Sequence, residues 1–252
     1  MYNKKNFVSL YSRTKEKYEK TDTYERTDLC DMFDKNKSDK SYPSDIEERK
    51  ADYWYDVEKK NRSVHNYSLF YDTIFSDFKN NNISLFEMGI GSNNPRIPHF
   101  MGVHARPGAS LYAWSEYFKN GKIYWADLDS GSVFEDKKNR IKTYQCDQKD
   151  GNRVDEIFSS IDSKLDIIID DGRHHPDYNK KFFESSFHYL KDGGIYVIED
   201  IFLAPHSANF KKRHLQNLED IKKTSSFADI IRLKNDFNNT DNNLLVVLKW
   251  TN

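Results

Sequence analysis

Cysteine is nearly absent: Cys30 and Cys146 are the only thiols in 252 residues. Two isolated cysteines make neither a disulfide framework nor a zinc site, and a reducing, cytoplasmic setting is the expectation. Glycine is scarce, at 10 residues, and none occurs between residues 1 and 66. No charge sign prevails, with 39 Lys+Arg against 40 Asp+Glu and a net charge of −1. The chain therefore lacks the basic footprint of a duplex-binding protein, and Lys211-Lys212-Arg213 is no more than a local patch. No nucleic-acid partner is expected. No apolar run approaches the roughly 20 residues of a membrane span. The opening Met1-Tyr2-Asn3-Lys4-Lys5-Asn6 leads into no apolar core of a secretory signal, so none is expected.

Aromatic residues, by contrast, are plentiful. They make up 15% of the chain, with 16 Tyr and 17 Phe, which excludes wholesale disorder. The length suffices for a sizeable core, and the apolar material is concentrated after residue 82. Residues 1–66 are dense in Lys, Glu, Asp and Tyr and read as a helical or irregular N-terminal extension. Helical spacing shows at Leu29, Met32 and Phe33, and again at Tyr53, Tyr55 and Val57. The Lys/Asp/Ser segment from Asp34 to Ser44 reads as a loop or mobile arm. Phe70, Ile74, Phe75 and Phe78 predict an amphipathic helix over 66–79.

Residues 67–252 read as one α/β domain. Strands are predicted at Ile83–Met88, Lys122–Leu128, Ile141–Cys146, Leu165–Ile169 and Ile195–Ile198, the last entered through a Gly193-Gly194 turn. Helices are predicted at Leu111–Phe118, Pro176–Leu190 and around 208–223. Ala228–Leu233 and Leu244–Trp250 form a terminal hairpin across an Asn-rich turn. Such alternation predicts an open, Rossmann-like sheet with its chemistry at the carboxyl ends of the strands.

Those ends carry acids and glycines. Glu87, Gly89 and Gly91 follow the first strand, but Asn94 stands where a dinucleotide fingerprint has its third glycine, so that motif alone is weak. Asp127 can accept hydrogen bonds from ribose hydroxyls, with Asp129 as its rival. Asp147 can cap the next helix or accept from an adenine amino group. Asp170 and Asp171 end a buried strand, where a doubled carboxylate is costly unless it binds something. Glu199 and Asp200 end the next strand. Adjacent strands lie about 4.8 Å apart, so these acids can converge on a hard cation such as Mg²⁺. His174 is a candidate general base, with His175 its direct rival. The other histidines (65, 99, 104, 188, 206 and 214) read as packing or surface groups, His65 being the possible exception.

This constellation resembles the class I S-adenosylmethionine-dependent methyltransferases. More narrowly, it resembles the metal-dependent sugar O-methyltransferases of the mycinamicin and macrocin type. The pieces that carry the resemblance run from Asp39-Lys40 and His65-Asn66-Tyr67 through Leu85–Gly91, Pro107-Gly108-Ala109-Ser110-Leu111-Tyr112-Ala113-Trp114 and Ile123–Leu128. They continue through Cys146-Asp147-Gln148, Asp170-Asp171-Gly172-Arg173-His174 and Gly193–Asp200. The resemblance implies a seven-stranded, mostly parallel sheet with an antiparallel last strand. It implies S-adenosylmethionine held by Glu87, Gly89, Gly91, Ser110, Asp127, Asp147 and Gln148. It also implies Mg²⁺ on Asp171, Glu199 and Asp200, with Glu87 a competitor for a place, and catalysis by His174 with Asp171. Arg173 replaces a small residue of that pattern and Cys146 a glycine. The expected function is methylation of a sugar hydroxyl on a nucleotide-activated or surface-polysaccharide sugar, by a chain that can form a homo-oligomer. The alternatives are a methyltransferase for a non-sugar small molecule, such as a phosphorylated or phosphoramidate surface precursor, and a non-catalytic cofactor-binding protein.

Overall fold

A computed structural model describes residues 3–20, 25–41, 55–56, 61–62, 65–97, 106–161, 163–203, 208–234 and 243–250. His99, His104, His206, most of the Asn93–Arg106 stretch and the Asn-rich turn of the terminal hairpin lie outside the described residues.

The strands are β1 (Ser84–Met88), β2 (Lys122–Asp127), β3 (Glu135–Asp136), β4 (Ile141–Gln145), β5 (Leu165–Asp170), β6 (Leu190–Ile198), β7 (Phe227–Arg232) and β8 (Asn243–Leu248). They form one sheet in the order β3-β4-β2-β1-β5-β6-β8-β7. From β4 to β6 every pairing is parallel, and β8 runs antiparallel to both of its neighbours. The sheet thus has eight strands rather than seven. The extra one, β3, is a two-residue antiparallel edge on β4, too short to show in the sequence pattern.

The helices are α1 (Lys4–Lys20), α2 (Asp28–Lys35), α3 (Tyr67–Phe75), α4 (Ala109–Tyr117), α5 (Gly151–Ser159), α6 (Pro176–Ser186) and α7 (Ala208–Thr224). Strand alternation divides them between two cores. Leu85, Ile167, Ile169, Ile195 and Val197 face the layer of α1 to α4. Phe86, Met88, Ile168, Tyr196 and Ile198 face α5 to α7. Trp114 anchors the first core, with Phe33, Tyr71, Phe75 and Phe118 at ring-centroid distances of 4.8 to 5.8 Å. Each such pair adds about 0.5–1.5 kcal/mol beyond burial, which is where the abundant aromatics are used.

Several expectations need correcting. Tyr55 and Asp56 pair as a short strand with Asn61 and Arg62, so Tyr55 is not helical; Tyr53 and Val57 lie outside the described residues. Of the segment from Asp34 to Ser44, α2 continues to Lys35 and Ser38, Lys40 and Ser41 are buried, so its described part is a packed loop rather than a mobile arm; residues 42–44 lie outside the described residues. Helix α3 is buried nearly all round rather than on one face, and a 3₁₀ turn continues it to Phe78. Gly193 and Gly194 lie inside β6, where the pairing skips from Leu165↔Leu190 to Ile167↔Ile195. They form a bulge there instead of a turn before the strand. Helix α1 lies in the N-terminal extension, and its Phe7, Tyr11, Thr14 and Tyr18 make a buried stripe that covers edge strand β7. Its Lys15 reaches Asp229 at 2.6 Å and the carbonyl of Ile230 at 2.7 Å.

Gly89 shows how tightly the carboxyl ends are packed. It has φ 90°, and a Cβ there would lie 2.1 Å from the Asp171 carbonyl oxygen. Gly89→Ala therefore combines left-handed strain with a backbone clash and is expected to cost about 2–5 kcal/mol. Urea unfolding measures this, and a midpoint equal to that of the wild type would refute the packing argument.

Candidate active site

The ladder hydrogen bonds carry the chain from strand to strand across the carboxyl edge. Gly89 N donates to Ala126 O at 2.9 Å, Asp171 N to Met88 O at 2.9 Å, and Glu199 N to Asp170 O at 2.9 Å. This register puts Glu87, Asp171 and Glu199 side by side on the α1–α4 face, in step with Leu85, Ile169 and Val197. Asp170 has the opposite parity. Its carboxylate accepts from Gln148 Nε2 at 2.6 Å, Asn179 Nδ2 at 2.9 Å and Gly172 N at 3.2 Å. Burial still raises its pKa to about 6. Of the doubled carboxylates, Asp170 braces the α6 side and Asp171 faces the site.

A residue from the N-terminal segment lies at the centre of the acids. Lys40 Nζ is 2.6 Å from Asp171 Oδ2, 2.5 Å from Glu199 Oε2 and 3.3 Å from Glu87 Oε1, with only 2% of its side chain exposed. The loop that delivers it is stitched down by His65 N to Asp39 O at 2.7 Å and Ser68 N to Lys40 O at 2.9 Å. Around it, Tyr71 donates to Glu199 Oε1 at 2.6 Å and Tyr67 to Asp200 Oδ1 at 2.7 Å. Glu87 is held by Ser110 Oγ at 2.9 Å and Trp114 Nε1 at 2.7 Å. His65 and His174 approach Asp200 at 3.4 and 3.5 Å.

The electrostatics show an excess of negative charge. Asp39, Glu87, Asp171, Glu199 and Asp200 surround one ammonium. Burial, then Asp171, push the Glu199 carboxyl well above its usual range, and burial raises Glu87 as well. Burial also pushes Asp200 upward, but His65, His174, Tyr67 and Lys40 outweigh it, leaving a lowered value. Among the described residues, ligand atoms of Asp171, His174 and Asp200 lie within 4.8 Å of one another. Oxygen-rich donors with uncompensated charge fit a hard divalent cation. Both His174 and Asp200 have left-handed backbones, φ 52° and 53°. Each costs about 1 kcal/mol for a non-glycine residue, and such strain concentrates at functional sites.

The Gly89–Ser92 loop closes against the end of β2. Asp127 accepts from Ile90 N at 3.0 Å and from its own loop, Asp129 N, at 2.9 Å. It is 8% exposed. Asp129 binds Gly131 N and the Ser92 hydroxyl, so it serves as a clasp of the loop. Asp147 is exposed and accepts from Lys149 N; the cap of α5 is Asp150. Gln148 braces Asp170 and accepts from Arg173 N at 2.9 Å. His175 caps α6, its Nδ1 accepting from Asp177 N at 3.2 Å. Lys40, Tyr67 and Tyr71 had been given no site role in the sequence. The pairs Asp39-Lys40 and Asn66-Tyr67 were visible only as motif fragments.

Parallel strands in this order, an antiparallel strand inserted next to the far edge and acids at the strand ends define the class I S-adenosylmethionine-dependent methyltransferase fold. No family model matches the sequence. The relatives of this chain are sugar O-methyltransferases. Mycinamicin VI 2''-O-methyltransferase of Micromonospora griseorubida is 33% identical over 141 residues, which is 56% of this chain and 33% of that protein. Demethylmacrocin O-methyltransferase of Streptomyces fradiae is 32% identical over 142 residues, 56% and 33% of the two chains. Each match thus spans about a third of the curated relative's length. Among solved structures, MycE methyltransferase of the mycinamycin pathway, in complex with Mg, SAH and mycinamycin VI, superposes with a TM-score of 0.64. The superposition has 23% identity and covers 89% of this chain and 55% of MycE. No described helix is long and apolar enough to cross a membrane.

Proposed function

We propose that this chain is a Mg²⁺-dependent O-methyltransferase that uses S-adenosylmethionine to methylate a sugar hydroxyl, on a nucleotide-activated or surface-polysaccharide sugar. The observation that carries this is the meeting of Asp171, His174 and Asp200 at the ends of β5 and β6. The similarity to sugar O-methyltransferases supports it. Asp171, Glu199 and Asp200 would hold the metal. S-adenosylmethionine supplies an electrophilic methyl group when bound, and Mg²⁺ polarises an oxygen ligand and lowers its pKa. The residues of the chain do the rest. Asp127 and the Gly89–Gly91 turn bind the adenosine end. His174 would take the proton of the acceptor hydroxyl. Tyr67 and Tyr71 keep Asp200 and Glu199 aimed by their hydrogen bonds.

An anionic acceptor is favoured by two cations in the loops that follow β4 and β5. Lys149 Nζ and the Arg173 guanidinium lie 4.2 and 4.9 Å from the centre of the Tyr178 ring. Neither has a carboxylate partner among the described residues. A diphosphate linked to the sugar matches them. The test measures SAH release from nucleotide sugars, free sugars and phosphorylated non-sugar precursors, with and without EDTA. Metal-dependent turnover only with the last group would replace the sugar reading, and no turnover with any would favour a non-catalytic role.

Cofactor binding gives a separate check. Hydrogen bonds to a charged group contribute about 1.5–3 kcal/mol each, so Asp127→Ala is expected to weaken SAH binding about 10–100-fold by calorimetry. Unchanged affinity would take the ribose away from Asp127.

A further inference from the structure

Lys40 is a fully buried cation on two of the three acids assigned to the metal. Its ammonium lies 2.6 Å from Asp171 and 2.5 Å from Glu199. Burying an ammonium is costly unless it is paired, and here the pairs are made by the residues a divalent ion would use. The lysine is not a passing surface side chain. Lys37 turns the chain with φ 63°, Ser38 N bonds to Phe33 O at 2.9 Å, and the following residues are pinned to the start of α3. The fold therefore commits backbone structure to placing one positive charge among five carboxyl groups.

We propose that Lys40 is a built-in counter-cation of the metal site: it holds Asp171 and Glu199 together when no metal is bound and competes with the divalent ion for them. This rests on the metal reading given above. Two consequences follow from Coulomb's law at this range. Like charge next to the ion weakens metal binding. Without either cation, Glu87, Asp171 and Glu199 face one another with no compensating positive charge between them, and the metal-free protein suffers.

The test compares wild-type protein with Lys40→Met, Lys40→Gln and Lys40→Arg. Mn²⁺ binding is followed by electron paramagnetic resonance, and melting temperature is measured with EDTA and with Mg²⁺. Lys40→Met and Lys40→Gln are expected to bind Mn²⁺ at least about tenfold more tightly, to melt lower than wild type in EDTA, and to gain more from Mg²⁺. Lys40→Arg keeps the charge and is expected to hold the wild-type affinity. Lys40→Gln retains a hydrogen-bond donor and serves if the methionine variant does not fold. Neutral variants that bind Mn²⁺ no more tightly than wild type overturn the proposal while leaving the metal site standing. Absence of Mn²⁺ binding in every protein removes the metal site and this proposal with it.

Discussion

His174→Ala is expected to lower kcat by about 10²–10⁴-fold, the ordinary contribution of a general base, with SAH affinity unchanged. The neighbouring His175→Ala is expected to keep kcat near normal. The two histidines are adjacent in sequence but face different surroundings. His174 has φ 52° and turns its Nε2 to within 3.5 Å of Asp200 Oδ2. His175 has extended backbone and accepts from Asp177 N as the cap of α6. Its ring packs 5.0 Å from Phe210 and 5.6 Å from Tyr178. Losing that cap should cost about 1 kcal/mol of stability, seen in urea melts. The kinetics need the true acceptor at saturation. If His175→Ala alone abolishes turnover, or His174→Ala keeps it, the base has been assigned to the wrong ring.

How much of this was open to reading depended on whether a feature is local. Strands β1, β2, β4 and β5 end in acids or glycines, and apolar runs that stop at a carboxylate show directly in the chain. Side chains alternate along any strand, and that alternation separates Asp170 from Asp171. What it could not supply was which face held the site. That depends on Gln148 and Asn179 claiming Asp170 from the α6 side. Lys40 was unreadable for a stronger reason. Its partners lie 131 and 159 residues away, and a lysine within a Lys/Asp/Ser stretch has the appearance of a solvated residue. Tyr55 was misassigned because a few apolar residues with mixed spacing fit either period. Edge strand β3, two residues long, has no period at all.

The second large effect is expected at Asp200. This residue sits at φ 53°, a conformation asparagine tolerates better than most side chains, so Asp200→Asn changes charge while sparing the backbone. Its remaining carbonyl oxygen can still accept from Tyr67, which now donates to Oδ1 at 2.7 Å. What disappears is the negative charge facing His65 and His174 and one anionic ligand of the proposed metal. Charge stabilisation of several kcal/mol is typical of a catalytic metal, and each 1.36 kcal/mol is tenfold in rate. Turnover at saturating Mg²⁺ is therefore expected to fall about 10²–10⁴-fold, to the same floor that wild-type protein reaches after chelation. EDTA should then change the variant little. Melting curves are expected to show the fold intact, because Asp200 belongs to neither core. If Asp200→Asn retains most of its kcat and still needs Mg²⁺, the ion is held by Asp171 and Glu199 without it. In that case the close approach of His174 and His65 to Asp200 would be structural.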